Sequence, residues 1–208
     1  MSIISLSGLI GSGKDTVSDY LVEDYGFNRM SFADTLKDSV AAVFGWNRTM
    51  LEGKTADARE WREKVDTWWA NRLGMPLLTP RWVLQYWGTE VCRHGFHDDI
   101  WIASMERSLQ DMGNANVVIS DARFVNELKM LKHVGATTIW VKRGTLPDWW
   151  DVAQRAQYFD SDAKTMHSLG IHRSEWDWAG QPFDVEIHND GSMDDLYAEV
   201  DRALSSGD

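Results

Sequence analysis

The chain has 208 residues, a formal net charge of −11 and one cysteine, Cys92. This length supports one domain with a substantial core, or one core plus a mobile subdomain, the acidic balance opposes the basic face that duplex binding needs, and a lone thiol excludes an internal disulfide framework. Hydrophobic residues at 43% and charged residues at 25% are those of a folded globule. No run approaches the roughly 20 apolar residues of a membrane span and the N-terminus lacks a basic n-region, so a soluble, cytoplasmic protein is expected.

Taken in chain order, residues 3–7 (Ile-Ile-Ser-Leu-Ser) read as a buried strand that ends at Gly8. From Lys14 to Tyr25 the apolar spacing is helical, with Val17, Tyr20, Leu21 and Tyr25 on one side and Gly26 as the stop. A second helix is predicted over 34–44, with Leu36, Val40 and Val43 inward. Residues 45–80 hold polar helical stretches between Gly45, Gly53, Gly74 and Pro76, and helices are expected over 81–93 and 98–111 on either side of Gly95. Residues 117–120 are a second buried strand, followed by a helix at about 124–134, a strand at 137–141, a strand at 185–188 and a closing amphipathic helix over 193–204. The alternation predicts an α/β fold, a parallel sheet flanked by helices. Two stretches interrupt it: 45–80 as a helical insertion and 144–182 as either a surface excursion or a lid that closes over substrate. With no repeat, low-complexity tract or linker, one domain over 1–208 carrying both insertions is the economical reading.

The segment Gly8-Leu9-Ile10-Gly11-Ser12-Gly13-Lys14-Asp15-Thr16 stands between strand and helix. Wrapping a phosphate in backbone N–H groups requires glycine at Gly8, Gly11 and Gly13, and the helix start adds its partial positive charge. Lys14 supplies a mobile ammonium for the β- and γ-phosphates, so a bound nucleoside triphosphate is expected. The residue after the lysine is usually a hydroxyl that ligates Mg²⁺; here it is Asp15, which holds the metal directly, holds it through water, or acts as a base. Ser12 and Thr16 fall to the donor phosphates.

Strand 117–120 delivers Asp121 and Arg123 to the sheet edge where α/β proteins bind ligands. There a carboxylate orients hydrated Mg²⁺ and an arginine grips phosphate in a fork, although a surface salt bridge would read the same. Asp34 and Lys37 are acceptor contacts or plain capping and surface charge. Arg81 and Gln85 share a helix face, where Gln85 reads a base edge or is a structural amide. Arg93 and Arg143 are phosphate candidates or surface pairs. Within 144–182, His172 and Glu175 shape the lid or touch the acceptor, and Arg173 neutralises phosphoryl charge on closure. His94, His97 and His188 have no zinc spacing. Asn189-Asp190-Gly191-Ser192 is a turn with an N-cap that also places Asn189 and Gly191 near the donor base. The 12 tryptophans are mostly core, with one or two available to stack a nucleobase.

The ordered set Gly-Ser-Gly-Lys-Asp-Thr at 11–16, Leu84-Gln85 with Gly88-Thr89-Glu90, Asp121-x-Arg123, Gly135-Ala136-Thr137, His172-x-Ser174-Glu175 and Asn189-Asp190-Gly191-Ser192 resembles the bacteriophage deoxynucleoside monophosphate kinases, within the P-loop nucleoside monophosphate kinase group. The resemblance implies a P-loop NTPase kinase fold, Mg²⁺-dependent transfer from ATP to a dNMP, and a homodimer. It implies that Lys14 and Thr16 bind donor phosphates, that Arg123 and Lys37 hold the acceptor phosphate, and that Asn189 lies near the donor adenine. Asp15 fits the family's loop. Residues 45–80 carry no match. The chain is also similar to animal-type phosphomevalonate kinases at Ser12-Gly13-Lys14-Asp15, Asp121-x-Arg123 and Ser174-Glu175. A nucleotide-binding regulator without turnover is the third alternative.

Overall fold

The computed structural model describes residues 2–205, and the chain divides into two compact units, Met1–Ser31 with Gln110–Asp208, and Phe32–Leu109. The first unit is built on a five-stranded sheet in the order β2-β3-β1-β4-β5. Its strands are β1 (Ile3–Ser7), β2 (Asn28–Met30), β3 (Val117–Ile119), β4 (Thr137–Lys142) and β5 (Val185–His188), and every pairing is parallel. β1 lies at the centre, with Ile4 beside Val118 on one side and Thr137 on the other. All five β1 residues are buried, as an apolar run covered on both faces requires.

Three of the first unit's helices are α1 (Lys14–Tyr25), α8 (Val125–His133) and α11 (Met193–Ser205). Val17 and Leu21 of α1 meet Leu196 and Val200 of α11 in the core formed with β1, β4 and β5. Gly26 ends α1 at φ 68, and the Ser192 hydroxyl accepts the Asp195 N–H at 3.2 Å to start α11. Tyr25 faces outward, against the expected inward side, because its hydroxyl donates to Asp201 at 2.7 Å.

In the second unit lie α2 (Ala33–Phe44), α3 (Arg48–Glu52), α4 (Ala56–Glu63), α5 (Thr67–Leu73), α6 (Pro80–Tyr86), a π-helix (Trp87–His94) and α7 (Ile100–Met112), whose last residues belong to the first unit. Asn47, Thr55, Asp66 and Thr79 each cap a helix with a side-chain oxygen, which is how a glycine-punctuated polar stretch still forms short helices. Val40, Leu51, Leu78 and Val83 make its core, with Phe44, Trp46, Trp61, Trp69 and Trp87 around them. Val43, expected inward, is exposed.

Two further local readings are corrected. β2 was not expected, since Asn-Arg-Met is too short and polar to show a strand period; the ladder with β3 holds it. The helix expected over 81–93 changes winding after Tyr86, where the Trp101 Nε1 donates to the Gly88 carbonyl at 2.9 Å and takes an acceptor from the α-ladder. Residues 144–182 carry α9 (Trp150–Ala156) and α10 (Asp160–Ser168); Trp150 and Trp178 are buried in a cluster with Trp140 and Phe183, and Met166 of α10 is buried as well. Among the described residues no helix is long and apolar enough to cross a membrane.

Candidate active site

The phosphate loop leaves the C-terminal end of β1 and enters α1. Gly8 has φ +157, and a side chain there would run into the Val141 carbonyl and the Ser12 hydroxyl. Gly13 is left-handed at φ +101, and its missing Cβ leaves the space that the Asn189 amide fills. Asn189 Nδ2 donates to the Ser12 carbonyl at 2.9 Å, so the turn after β5 braces the loop. Gly11 is left-handed with open space around it. No side chain caps α1, whose first N–H groups face the loop, and the Ser12 hydroxyl is buried without a hydrogen-bond partner. These are the marks of a cradle for an anion.

Lys14 folds back over this cradle, its Nζ donating to the carbonyls of Gly8 at 2.8 Å and Leu9 at 2.9 Å. Burial lowers its pKa to about 8, helped by repulsion from Arg123 and opposed by Asp15, Glu175 and Asp121. The charges of the loop and of the strand edge beyond β3 are thus felt at one ammonium. Asp121 accepts from the Ser31 hydroxyl at 2.6 Å, and the Ser7 hydroxyl donates to the Ala122 carbonyl at 3.0 Å, tying that edge to β1. Asp15 pairs with Arg29, which also reaches Asp19 at 2.7 Å. Thr16 is half-buried on the first turn of α1.

Beside the loop is a cleft of about 430 Å³, in the size range of small-ligand sites. Loop residues Leu9, Ile10, Gly11 and Ser12 form one wall, and Arg143, Trp149, Ile171 and Glu175 part of the other. Arg123 donates to Glu175 at 2.8 Å, and Arg173 to Asp177 at 2.8 Å. His172 caps the turn that carries them, its Nδ1 accepting the Ser174 N–H at 3.3 Å. Gly191 packs against the Asp195 carboxylate.

Five expected site residues belong to the second unit, and one of them, Arg93, is buried and donates to the Asp98 carbonyl at 2.9 Å. Lys37 donates to Glu52 at 2.7 Å, and Arg48 reaches Asp34 at 3.1 Å as well as Glu52. Burial would raise the Glu52 carboxyl, but hydrogen bonds from Lys37 and Arg48 hold it below the usual range. Arg81 pairs with Glu63. Gln85 is half-buried on α6. Sequence reasoning passed over Arg29, Trp149, Glu127 and Asp177. Glu127 stands at the third position of α8, where a carboxylate after an N-cap is a readable signal; the other three emerge only from tertiary placement.

A glycine loop from the central parallel strand into a helix, a lysine across it and an Asp-x-Arg on the next strand define a P-loop phosphotransferase. No protein-family model matches the chain. A mimivirus protein (Acanthamoeba polyphaga mimivirus), provisionally named deoxynucleotide monophosphate kinase, is 34% identical over 154 residues, covering 69% of this chain and 75% of its own. The chain belongs to the deoxynucleotide monophosphate kinase family. The enzyme of that name from Escherichia phage RB69 aligns at 22% identity over 98% of this chain and 100% of its own. Among solved structures, a dephospho-CoA kinase from Campylobacter jejuni is 13% identical with a TM-score of 0.45 over 99% of this chain and 96% of its own. A Sinorhizobium meliloti gluconokinase is 15% identical with a TM-score of 0.43 over 99% and 91%. The resemblance drawn from the ordered motifs is borne out by the relatives.

Proposed function

We propose that the chain transfers the γ-phosphoryl group of ATP to a dNMP, giving ADP and a dNDP. The observation that carries this reading is Lys14 lying across the glycine cradle, its Nζ on the carbonyls of Gly8 and Leu9. In it, Gly8, Gly11, Ser12, Gly13 and Thr16 hold the donor phosphates. Lys14 turns from the loop carbonyls to the β- and γ-oxygens and stays with the charge as it moves. Asn189 and Gly191 stand near the donor base. Arg123 grips the acceptor phosphate, and His172 and Glu175 serve that side. Asp34, Lys37, Arg81 and Gln85 take the acceptor's phosphate, sugar or base, with Lys37 and Arg81 exchanging Glu52 and Glu63 for it.

The donor set suits Mg²⁺, a hard cation that keeps several waters and takes phosphate oxygens. Asp121 and Asp15 would hold it, directly or through water, and when bound it neutralises charge on the transferring group. Residues 144–182 act as the lid, with Arg143 and Arg173 neutralising phosphoryl charge as water is excluded. We assign one kinase domain over 1–208, working as a homodimer in the host cytoplasm without nucleic-acid partners.

Coupled ADP release against each dNMP, each NMP and phosphomevalonate tests the reading. Turnover with at least one dNMP is expected; turnover with phosphomevalonate alone, or ATP binding without turnover, would overturn it.

A further inference from the structure

The phosphate-gripping arginine stands on an unusually acidic frame. Glu127, only 2% exposed, accepts the backbone N–H of Arg123 at 2.8 Å and that of Phe124 at 3.1 Å. Asp177, 3% exposed, accepts the next N–H, from Val125, at 3.0 Å. Glu175 takes the Arg123 Nη1 at 2.8 Å. The contacts 123–175 and 125–177 are two rungs of one ladder, two residues apart on both segments.

The ladder's far side is itself fixed. Asp177 also accepts from Arg173 at 2.8 Å, its carbonyl accepts Gln157 Nε2 at 2.5 Å, and Trp176 and Trp178 are buried on either side of it. Capping explains Glu127 and Asp177, since the N–H groups at a helix start need acceptors. It does not explain Glu175, whose carboxylate accepts from no backbone N–H among the described residues. A carboxylate in a cleft meant for polyanions repels the ligand unless it serves a cation. A guanidinium has five N–H donors, and among the described residues Glu175 is the one side chain that Arg123 bonds. One corner is held and the rest of the fork is left for phosphate.

We propose that Glu175 and Asp177 are positioning residues: Asp177 anchors the turn at 173–177 to the start of α8, and Glu175, carried on that turn, aims the Arg123 fork at the acceptor phosphate. This rests on the assignment of Arg123 to the acceptor.

The test uses the full chain, with acceptor KM and kcat measured at saturating ATP on the dNMP that turns over, and ATP binding by titration. Loss of one charge-assisted hydrogen bond sets the scale: Glu175→Gln should raise acceptor KM roughly tenfold, with a smaller change in kcat and ATP affinity retained. Asp177→Asn, which keeps a carbonyl for the Val125 N–H, should shift KM the same way. In an Arg123→Ala background Glu175→Gln should add nothing further. An unchanged or lowered KM in Glu175→Gln, or an undiminished effect in that background, overturns the proposal. If Arg123→Ala itself leaves acceptor KM unchanged, the assignment of Arg123 fails instead.

Discussion

Arg29, on the three-residue strand β2, binds the carboxylate of Asp15, the residue directly after the phosphate-loop lysine. The same guanidinium donates to Asp19 at 2.7 Å and to the Ser120 hydroxyl at 3.4 Å. One side chain therefore joins the start of α1 to the ends of two strands. Arg29→Met should lower unfolding free energy by about 1 kcal/mol, the sum of partly exposed ion pairs. A double-mutant cycle with Asp15→Asn, read by denaturant melts, should show a coupling of about 0.5 kcal/mol. Strict additivity would mean that the pair contributes nothing.

Lys14→Ala should reduce kcat by at least about a hundredfold, because a contact that strengthens as charge develops in a dry site is worth about 3 kcal/mol. The fold should survive, since the ammonium's partners are loop carbonyls that water can satisfy. Near-full turnover would remove Lys14 from the mechanism.

Lys14 also gives a pH dependence. Its pKa is about 8 in the folded chain against an ordinary 10.5, so between these values the unfolded chain binds more protons. The group's contribution to stability therefore rises with pH across that window. Affinity for ATP moves oppositely: as pH climbs through about 8 the ammonium is lost, and ATP Kd should weaken by up to about tenfold per pH unit. Titration calorimetry from pH 7 to 10 reads this directly; in Lys14→Met the slope should vanish.

Gly13→Ala should abolish ATP binding. The new methyl meets the Asn189 amide, and the backbone at φ +101 is one that alanine resists at about 1–3 kcal/mol. Adding Asn189→Ala removes the collision but not the backbone strain, so ATP affinity should recover only in part. Full recovery would mean that the clash alone matters.

Much of this fold was legible because its signals are local. The buried runs at 3–7 and 117–119, the glycine-rich loop and the stop at Gly26 each declare themselves within a few residues. β2 was hidden because a polar three-residue strand owes its existence to its neighbour. The π-helix was hidden because an indole thirteen positions away diverts the Gly88 carbonyl. At the site, Lys14, Asp121 and Arg123 could be read from spacing and their place after strands. Arg29 and Asp177 could not, since their meaning lies in partners 14 and 52 residues distant.

The brace between Asn189 and the phosphate loop spans 177 positions of sequence. The loop leaves the ribosome long before the residue that supports it. During synthesis the early strand and helix can form, but the loop acquires its final shape only when the turn after β5 arrives. A chain that stops short of Asn189 would thus carry the motif without the turn that braces it.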